Sequence, residues 1–278
     1  MTAPTRHYLD FERPICELDS KIDELSKLSD TAEPGAFDGE IAALRSRVDK
    51  LRRDTYGRLD SWQKTQVARH PDRPHLGDFL TALIDDFVEL KGDRCYGDDQ
   101  AIVAGLGRFR GLPVITLIDT AGAYPGVGAE ERGQGEAIAR STERGLTLGT
   151  PMVATITGEG GSGGALALAG ANKVLILEHS IYSVISPEAG SSILFRDRGQ
   201  AAHMAKSMKI TAQDLIGLGI VDRIIPEPSG GAHSDREAAM KSVGDAIEDE
   251  LKLLVNLSPD ALRQQRADRF YAIGRKFG

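Results

Sequence analysis

Cysteine is nearly absent: Cys16 and Cys95 are the two in 278 residues, far apart and in no CxxC pair. Two such cysteines argue against a structural zinc site or a disulfide framework built from this chain alone. There is no basic excess either. The net charge of −7 argues against a general nucleic-acid binder, though local Lys or Arg can still hold the phosphates of a small ligand. No apolar run approaches ~20 residues, and the opening MTAPTRHYLDFERP carries no apolar signal core, so the expectation is a cytoplasmic protein that neither enters a membrane nor takes nucleic acid as its primary partner. What remains is ordinary for a globular chain, with 41% hydrophobic and 27% charged residues and room for one or two domains.

Two segments near the start have helical spacing. Ile15, Leu18, Ile22, Leu25 and Leu28 form one stripe; Ile41, Leu44, Val48 and Leu51 form another. Pro34-Gly35 and Gly39 lie between them, so an αα-hairpin serving as a packing or dimerisation arm is expected. His70-Pro-Asp-Arg-Pro74 then breaks the second helix and marks a boundary. Leu76 to Leu90 has a helical period, KGDRCYGDDQ reads as a polar loop, and AIVAGLGRF as a strand. LPVITLID, PMVATITG, KVLILE and IYSVISP are β-branched runs that fit strands buried on both faces. Helical patterns fall between or after them, which indicates an α/β core. EAAMKSVGDAIEDELKLLVNL reads as an amphipathic helix at the surface or an interface.

The stretch TGEGGSGGALAL (157–168) packs five glycines into seven residues where a strand meets a helix. A helix start leaves N–H groups unpaired and partially positive, and bare glycines let a ligand atom approach them. Three readings compete. A phosphate cradle lacks the P-loop lysine; Gly158, Gly160 and Gly163 do fit GxGxxG spacing, with Glu178 about 20 residues on, but at a strand end. The second is tight helix–strand packing. The third is an oxyanion hole made by the N–H groups of Gly163, Gly164 and Ala165.

IDTAGAYPGVGAEERGQGEAIAR (118–140) leaves a strand at Asp119 and passes Gly122, Tyr124, Pro125, Gly126 and Gly128 before a helix. ISPEAGSSILF (185–195) repeats the pattern through Pro187 and Gly190. Three strand-to-helix turns rich in small residues favour a ligand site. No nucleophile constellation emerges. Ser162 can be read in a G-x-S-x-G frame, but the available late histidines, His203 and His233, form no credible triad with it, and His179 reads as structural.

Taken together, HPDRP (70–74), FVELKGDRCYGDDQAIVAGLGR (87–108), IDTAGAYPGVGAEERGQGEAIAR, TGEGGSGGALAL, YSVISPEAGSSIL (182–194) and GIVDRIIPEPSGGAH (219–233) resemble the α subunits of bacterial acetyl-CoA carboxylase carboxyltransferases. The likeness runs from about Ile15 to the C-terminal helix. It implies an α/β fold of crotonase type, a ββα spiral over 70–278, with an N-terminal helical hairpin over 1–69 and a C-terminal helix. The implied reaction moves a carboxyl group from carboxybiotin, on a separate biotin carboxyl carrier protein, to acetyl-CoA, giving malonyl-CoA. No cofactor is expected in this chain. Zinc belongs to a zinc-ribbon β subunit, biotin carboxylase completes the complex and uses its ATP, and the assembly is an α2β2 heterotetramer. By resemblance, Gly163, Gly164 and Ala165 face the biotin ureido oxygen. Gly160 and Gly161 shape the turn; Gly122, Ala123, Tyr124, Gly126, Pro187 and Glu188 complete the substrate site. No metal site is expected.

One departure stands out. In the family pattern a basic loop and a helix precede the LPVITLIDT strand, whereas here GLGRFRG runs straight into it. An entire repeat of the spiral is missing. Two readings therefore stay open, an active α subunit and a non-catalytic assembly subunit. A third, a CoA-binding hydratase or hydrolase of the same fold, would need a carboxylate or triad that Leu166, Ala167 and Leu168 do not offer.

Overall fold

The computed structural model describes residues 7–29, 37–91, 99–109 and 114–275. The turn expected at Pro34-Gly35 and most of the KGDRCYGDDQ loop lie outside the described residues.

Helices α1 (Arg13–Ser29) and α2 (Asp38–Tyr56) pack through Ile15, Ile22, Ile41 and Val48, the stripes read from the sequence. The second helix ends earlier than expected. It stops at Tyr56, and α3 (Ser61–Ala68) starts afresh on a capping box in which Asp60 accepts from the Gln63 N–H and Gln63 reaches back. The Leu76–Leu90 segment is also not one helix. Helix α4 (Leu76–Leu83) ends at an extended Ile84, and strand β1 (Asp85–Leu90) pairs antiparallel with β2 (Ala104–Arg108). Leu, Phe, Ile and Val suit both periods there, so pairing with β2 decides the outcome.

A second sheet carries the site. It contains β3 (Val114–Thr120), β4 (Met152–Gly161), β5 (Lys173–Leu177), β6 (Ile181–Ser183) and β7 (Arg223–Ile225). Strands run β3-β4-β5-β7, all parallel, and β6 pairs with the last residues of β4. Between β3 and β4 come α5 (Val127–Glu131) and α6 (Gln134–Thr147); α7 (Ser162–Leu168) follows β4 directly. Helices α8 (Pro187–Phe195), α9 (Ala201–Met208) and α10 (Ala212–Leu218) precede β7. Arg196, in the left-handed region (φ 56°), ends α8.

Both faces of this sheet are covered, which explains the unbroken β-branched runs. Val153, Leu175, Leu177 and Ile225 pack on Phe79 of α4 and on Val243, Ile247 and Leu251 of α11 (Arg236–Leu254). Ala154, Ile156, Val174 and Ile176 face α7 and α10 through Ala165, Ala212 and Leu215. The helix expected at the surface or an interface thus covers the sheet, its apolar face packed in the core. Finally α12 (Pro259–Ala272) is pinned by Arg266, fully buried, which donates to the carbonyls of Gly145, Leu148 and Thr150.

Candidate active site

Strand β4 does not stop at the glycines; it runs through Gly158, Gly160 and Gly161, and α7 starts at Ser162. Gly160 and Gly161 therefore belong to a buried strand, a correction to the turn expected there. The reversal falls on Ser162, whose φ of 57° is left-handed, a conformation that costs an L-residue about 1–2 kcal/mol. No side chain caps α7, and the N–H groups of Ser162, Gly163 and Gly164 at its start have no intrahelical acceptor. Ala165, its fourth residue, is the first whose N–H can bond back, to the Gly161 carbonyl, which departs from the three donors expected. Gly163 and Gly164 are half-buried and Ala165 is buried.

The reason for glycine is close backbone approach. A Cβ on Gly161 would lie 2.2 Å from the Ala121 carbonyl oxygen. One on Gly122, itself at φ 121°, would lie 2.8 Å from the Ser162 Cβ, and one on Gly164 3.2 Å from the Ala123 nitrogen. The loop after β3 is thus pressed along the start of α7. From the other side β6 pairs Tyr182 with Gly160 and Ser183 with Gly161. Gly122, Ala123, Gly160, Gly161, Gly163 and Gly164, widely spaced in sequence, share one seam. Tyr124 points outward, 73% exposed, over Gly126, whose N–H donates to the Tyr124 carbonyl at 3.0 Å. Pro187 is buried as the first residue of α8, and Glu188 follows it, half-buried.

The ionic frame of this seam was not found from the sequence. Arg69, at the end of α3, places Nε and Nη2 on the two oxygens of Glu159 (2.8 and 2.7 Å) and Nη1 on Glu188 (2.6 Å). Burial alone would lower the Arg69 pKa; the hydrogen bonds from the two carboxylates outweigh it and raise the pKa. Burial would likewise raise Glu188, yet Arg69 holds it below the usual carboxylate range. The Glu159 N–H donates to Asp119 Oδ1 at 3.0 Å, so a side chain replaces a ladder bond where the β3–β4 register shifts. Arg73, from the HPDRP stretch, donates to the Thr157 carbonyl at 2.9 Å and pairs with Glu227 at 2.8 Å, both side chains buried. Burial would push Glu227 up, but the Arg73 charge brings it down to about 2. Only HPDRP gave a signal for this layer; the partners of Arg69 lie 90 and 119 residues away.

A separate group of Glu12, His70 and His233 brings ligand atoms within 4.8 Å of one another, but its geometry does not suit a metal. His70 Nδ1 accepts from the Asp72 N–H, and its Nε2 meets the His7 carbonyl at 3.1 Å. The His70 and His233 rings are stacked, centroids 3.7 Å apart and 7° from parallel. A metal lies in the plane of each imidazole that binds it, about 2 Å from the nitrogen, and stacked rings direct their lone pairs into separate planes. Burial, then His70 and Arg73, hold His233 down at about 3, so it packs neutral. His179 is buried, with Tyr56 edge-on to its ring and its Nδ1 without a hydrogen-bond partner.

Fold and seam define an α/β protein that offers backbone donors at a strand-to-helix junction, with no nucleophile–histidine pair among the residues described here. The sequence family described as acetyl co-enzyme A carboxylase carboxyltransferase-like matches residues 8–115 and 111–274. The chain belongs to that family. It is 63% identical to the acetyl-coenzyme A carboxylase carboxyl transferase subunit alpha of Caulobacter sp. (strain K31), over 97% of this chain and 98% of the relative. The protein of the same name from Phenylobacterium zucineum is 58% identical, over 97% and 98%. Among solved structures, a transcarboxylase 12S overlays with a TM-score of 0.46 at 17% identity, over 64% of this chain and 44% of that one. A Pseudomonas malonate decarboxylase hetero-tetramer in complex with coenzyme A gives 0.44 at 19% identity, over 56% and 63%.

The matches also locate the shortening. The Caulobacter alignment is 314 positions long and takes in 97% of the 278 residues of this chain, about 270, so about 44 of its positions have no counterpart here. The two matched stretches overlap at residues 111–115, which run from the β2–β3 connection into the start of β3. At this point β1 and β2 form a sheet of their own with Val88, Leu90 and Leu106 exposed, and β3 is an edge strand of the main sheet.

Proposed function

We propose that this chain works as the α subunit of an acetyl-CoA carboxylase carboxyltransferase, moving the carboxyl group of carboxybiotin on a carrier protein to acetyl-CoA. The observation that supports the proposal is the seam, where the loop of Gly122 and Ala123 lies along the start of α7 at Gly164; we assign the oxyanion donors to the N–H groups of Gly163 and Gly164, which precede the first intrahelical bond of α7. In this chemistry the N–CO2 bond of carboxybiotin breaks and negative charge gathers on the ureido oxygen. The ureido group takes a proton from the acetyl methyl, and the enolate carbon bonds to CO2. The products are biotin and malonyl-CoA. Two oxyanions arise in turn, and fixed N–H donors stabilise each by about 3 kcal/mol per donor. A catalytic histidine is not required, since biotin itself carries the proton.

A zinc-ribbon β subunit supplies the other half of the site in an α2β2 assembly, with biotin carboxylase and the carrier protein as further partners in the cytoplasm. Among the described residues no helix is long and apolar enough to cross a membrane. The reading of a non-catalytic assembly subunit is not favoured, because relatives 63% identical over 97% of the chain carry the name of the carboxyl transferase alpha subunit. The test is co-purification with the β partner, then carboxyl transfer from malonyl-CoA to free biotin. Gly164→Pro removes one donor and should abolish transfer while the complex still forms. Retained transfer refutes the donor assignment.

A further inference from the structure

Arg69 stands outside every glycine motif, yet its guanidinium touches both elements that flank the seam. Its Nε and Nη2 grip Glu159 of β4 in a two-point fork (2.8 and 2.7 Å), two residues before the Gly161 N-cap of α7. Its Nη1 reaches Glu188 at 2.6 Å, in the first turn of α8. A planar guanidinium can hold two carboxylates at fixed angles, whereas an ammonium acts as a point charge. Glu159 is 6% exposed and held a second time by its N–H on Asp119, so that end of the clamp is rigid. The Glu188 end is different. Its side chain is 36% exposed, and an ion pair so open contributes little to stability. What the Glu188 contact can do is fix direction: it sets the start of α8 relative to β4.

We propose that Arg69 is a positioning residue for carboxyl transfer, a fork that aligns the start of α8 with the glycine junction through Glu159 and Glu188. The proposal rests on the functional reading above. It assigns Glu188 an indirect role, since its carboxylate is engaged by Arg69 and does not itself meet substrate.

A double-mutant cycle on the αβ complex tests this. Glu188→Gln and Arg69→Lys are each compared with Glu188→Asp and with the double variant, reading kcat, KM for malonyl-CoA and the thermal midpoint. A misaligned site loses roughly tenfold to a hundredfold in rate. The expected result is such a loss of kcat in Glu188→Gln and in Arg69→Lys, with KM unchanged. The midpoint of Glu188→Gln should match wild type, Glu188→Asp should recover most of the rate, and the double variant should be no slower than the slower single one. A double-variant loss equal to the product of the two single losses overturns the clamp. So does a rise in KM at constant kcat in Glu188→Gln, which would make Glu188 a direct substrate contact. Rate losses that track a falling midpoint also overturn it. A wild-type complex with no transfer would overturn the functional reading itself, and the clamp with it; an active wild type with additive variants overturns the clamp alone.

Discussion

Gly161→Ala isolates close approach from backbone conformation. Gly161 has φ −120° and ψ 139°, extended backbone that alanine adopts freely. On conformational grounds the substitution would stabilise the chain by about 0.4–1 kcal/mol, by restricting the unfolded state. The new Cβ, however, would lie 2.2 Å from the Ala121 oxygen, 2.5 Å from its carbonyl carbon and 3.0 Å from the Gly122 nitrogen. Ordinary close C···O contacts are roughly 3.3 Å, so the loop must retreat by about 1 Å. These are backbone atoms with no rotamer to change, and overpacking of this kind costs about 1–3 kcal/mol. The net expectation is a loss of about 1–2 kcal/mol, or roughly 2–8 °C in the thermal midpoint for a chain of this size. Because the same loop sets Ala123 against Gly164, transfer should fall about a hundredfold. Calorimetry and the malonyl-CoA assay measure the two effects. Gly128→Ala is the control, since nothing lies within 4 Å of its would-be Cβ. A Gly161→Ala protein as stable and active as that control would refute the steric argument for glycine here.

Two further predictions concern the buried charges behind the seam. Arg73→Met leaves Glu227 buried without its cation and should destabilise by about 3–5 kcal/mol, read as a lower urea midpoint at neutral pH; an unchanged midpoint would show that the pair is not needed. Acidification should weaken the fold through His233. Its folded pKa of about 3 lies below the ordinary 6.5, so below pH 6.5 the unfolded chain binds a proton the folded one does not. Stability from this group is full above 6.5 and falls by about 1.4 kcal/mol per pH unit down to the folded value. Urea titrations at pH 7.5 and 5.5 check this, and His233→Phe should flatten the difference. An equally steep fall in that variant would place the proton elsewhere.

Much of this protein follows from local chemistry. Runs such as PMVATITG and KVLILE could only be strands covered on both sides, and the glycines at 158–164 marked a place where backbone meets something closely. The stripes of α1 and α2 named their own partners. The capping box at Asp60-Gln63 was equally legible, and the boundary assigned at His70 passed over it. Other features had no local signal. Residues 85–90 could continue α4 or form a strand, and only β2, beginning at Ala104, made them β1. That the glycines extend β4, and that Ser162 makes the turn, depends on β3 and β6 pairing alongside. Arg69 and Arg73 read as two basic residues near a proline-rich turn; folding makes them the cations for Glu159, Glu188 and Glu227. Periodicity and backbone preference act over a few residues and survive in a linear reading. Contacts between atoms 22 to 154 residues apart exist only once the chain has closed on itself, and the seam and its ionic frame are made of such contacts.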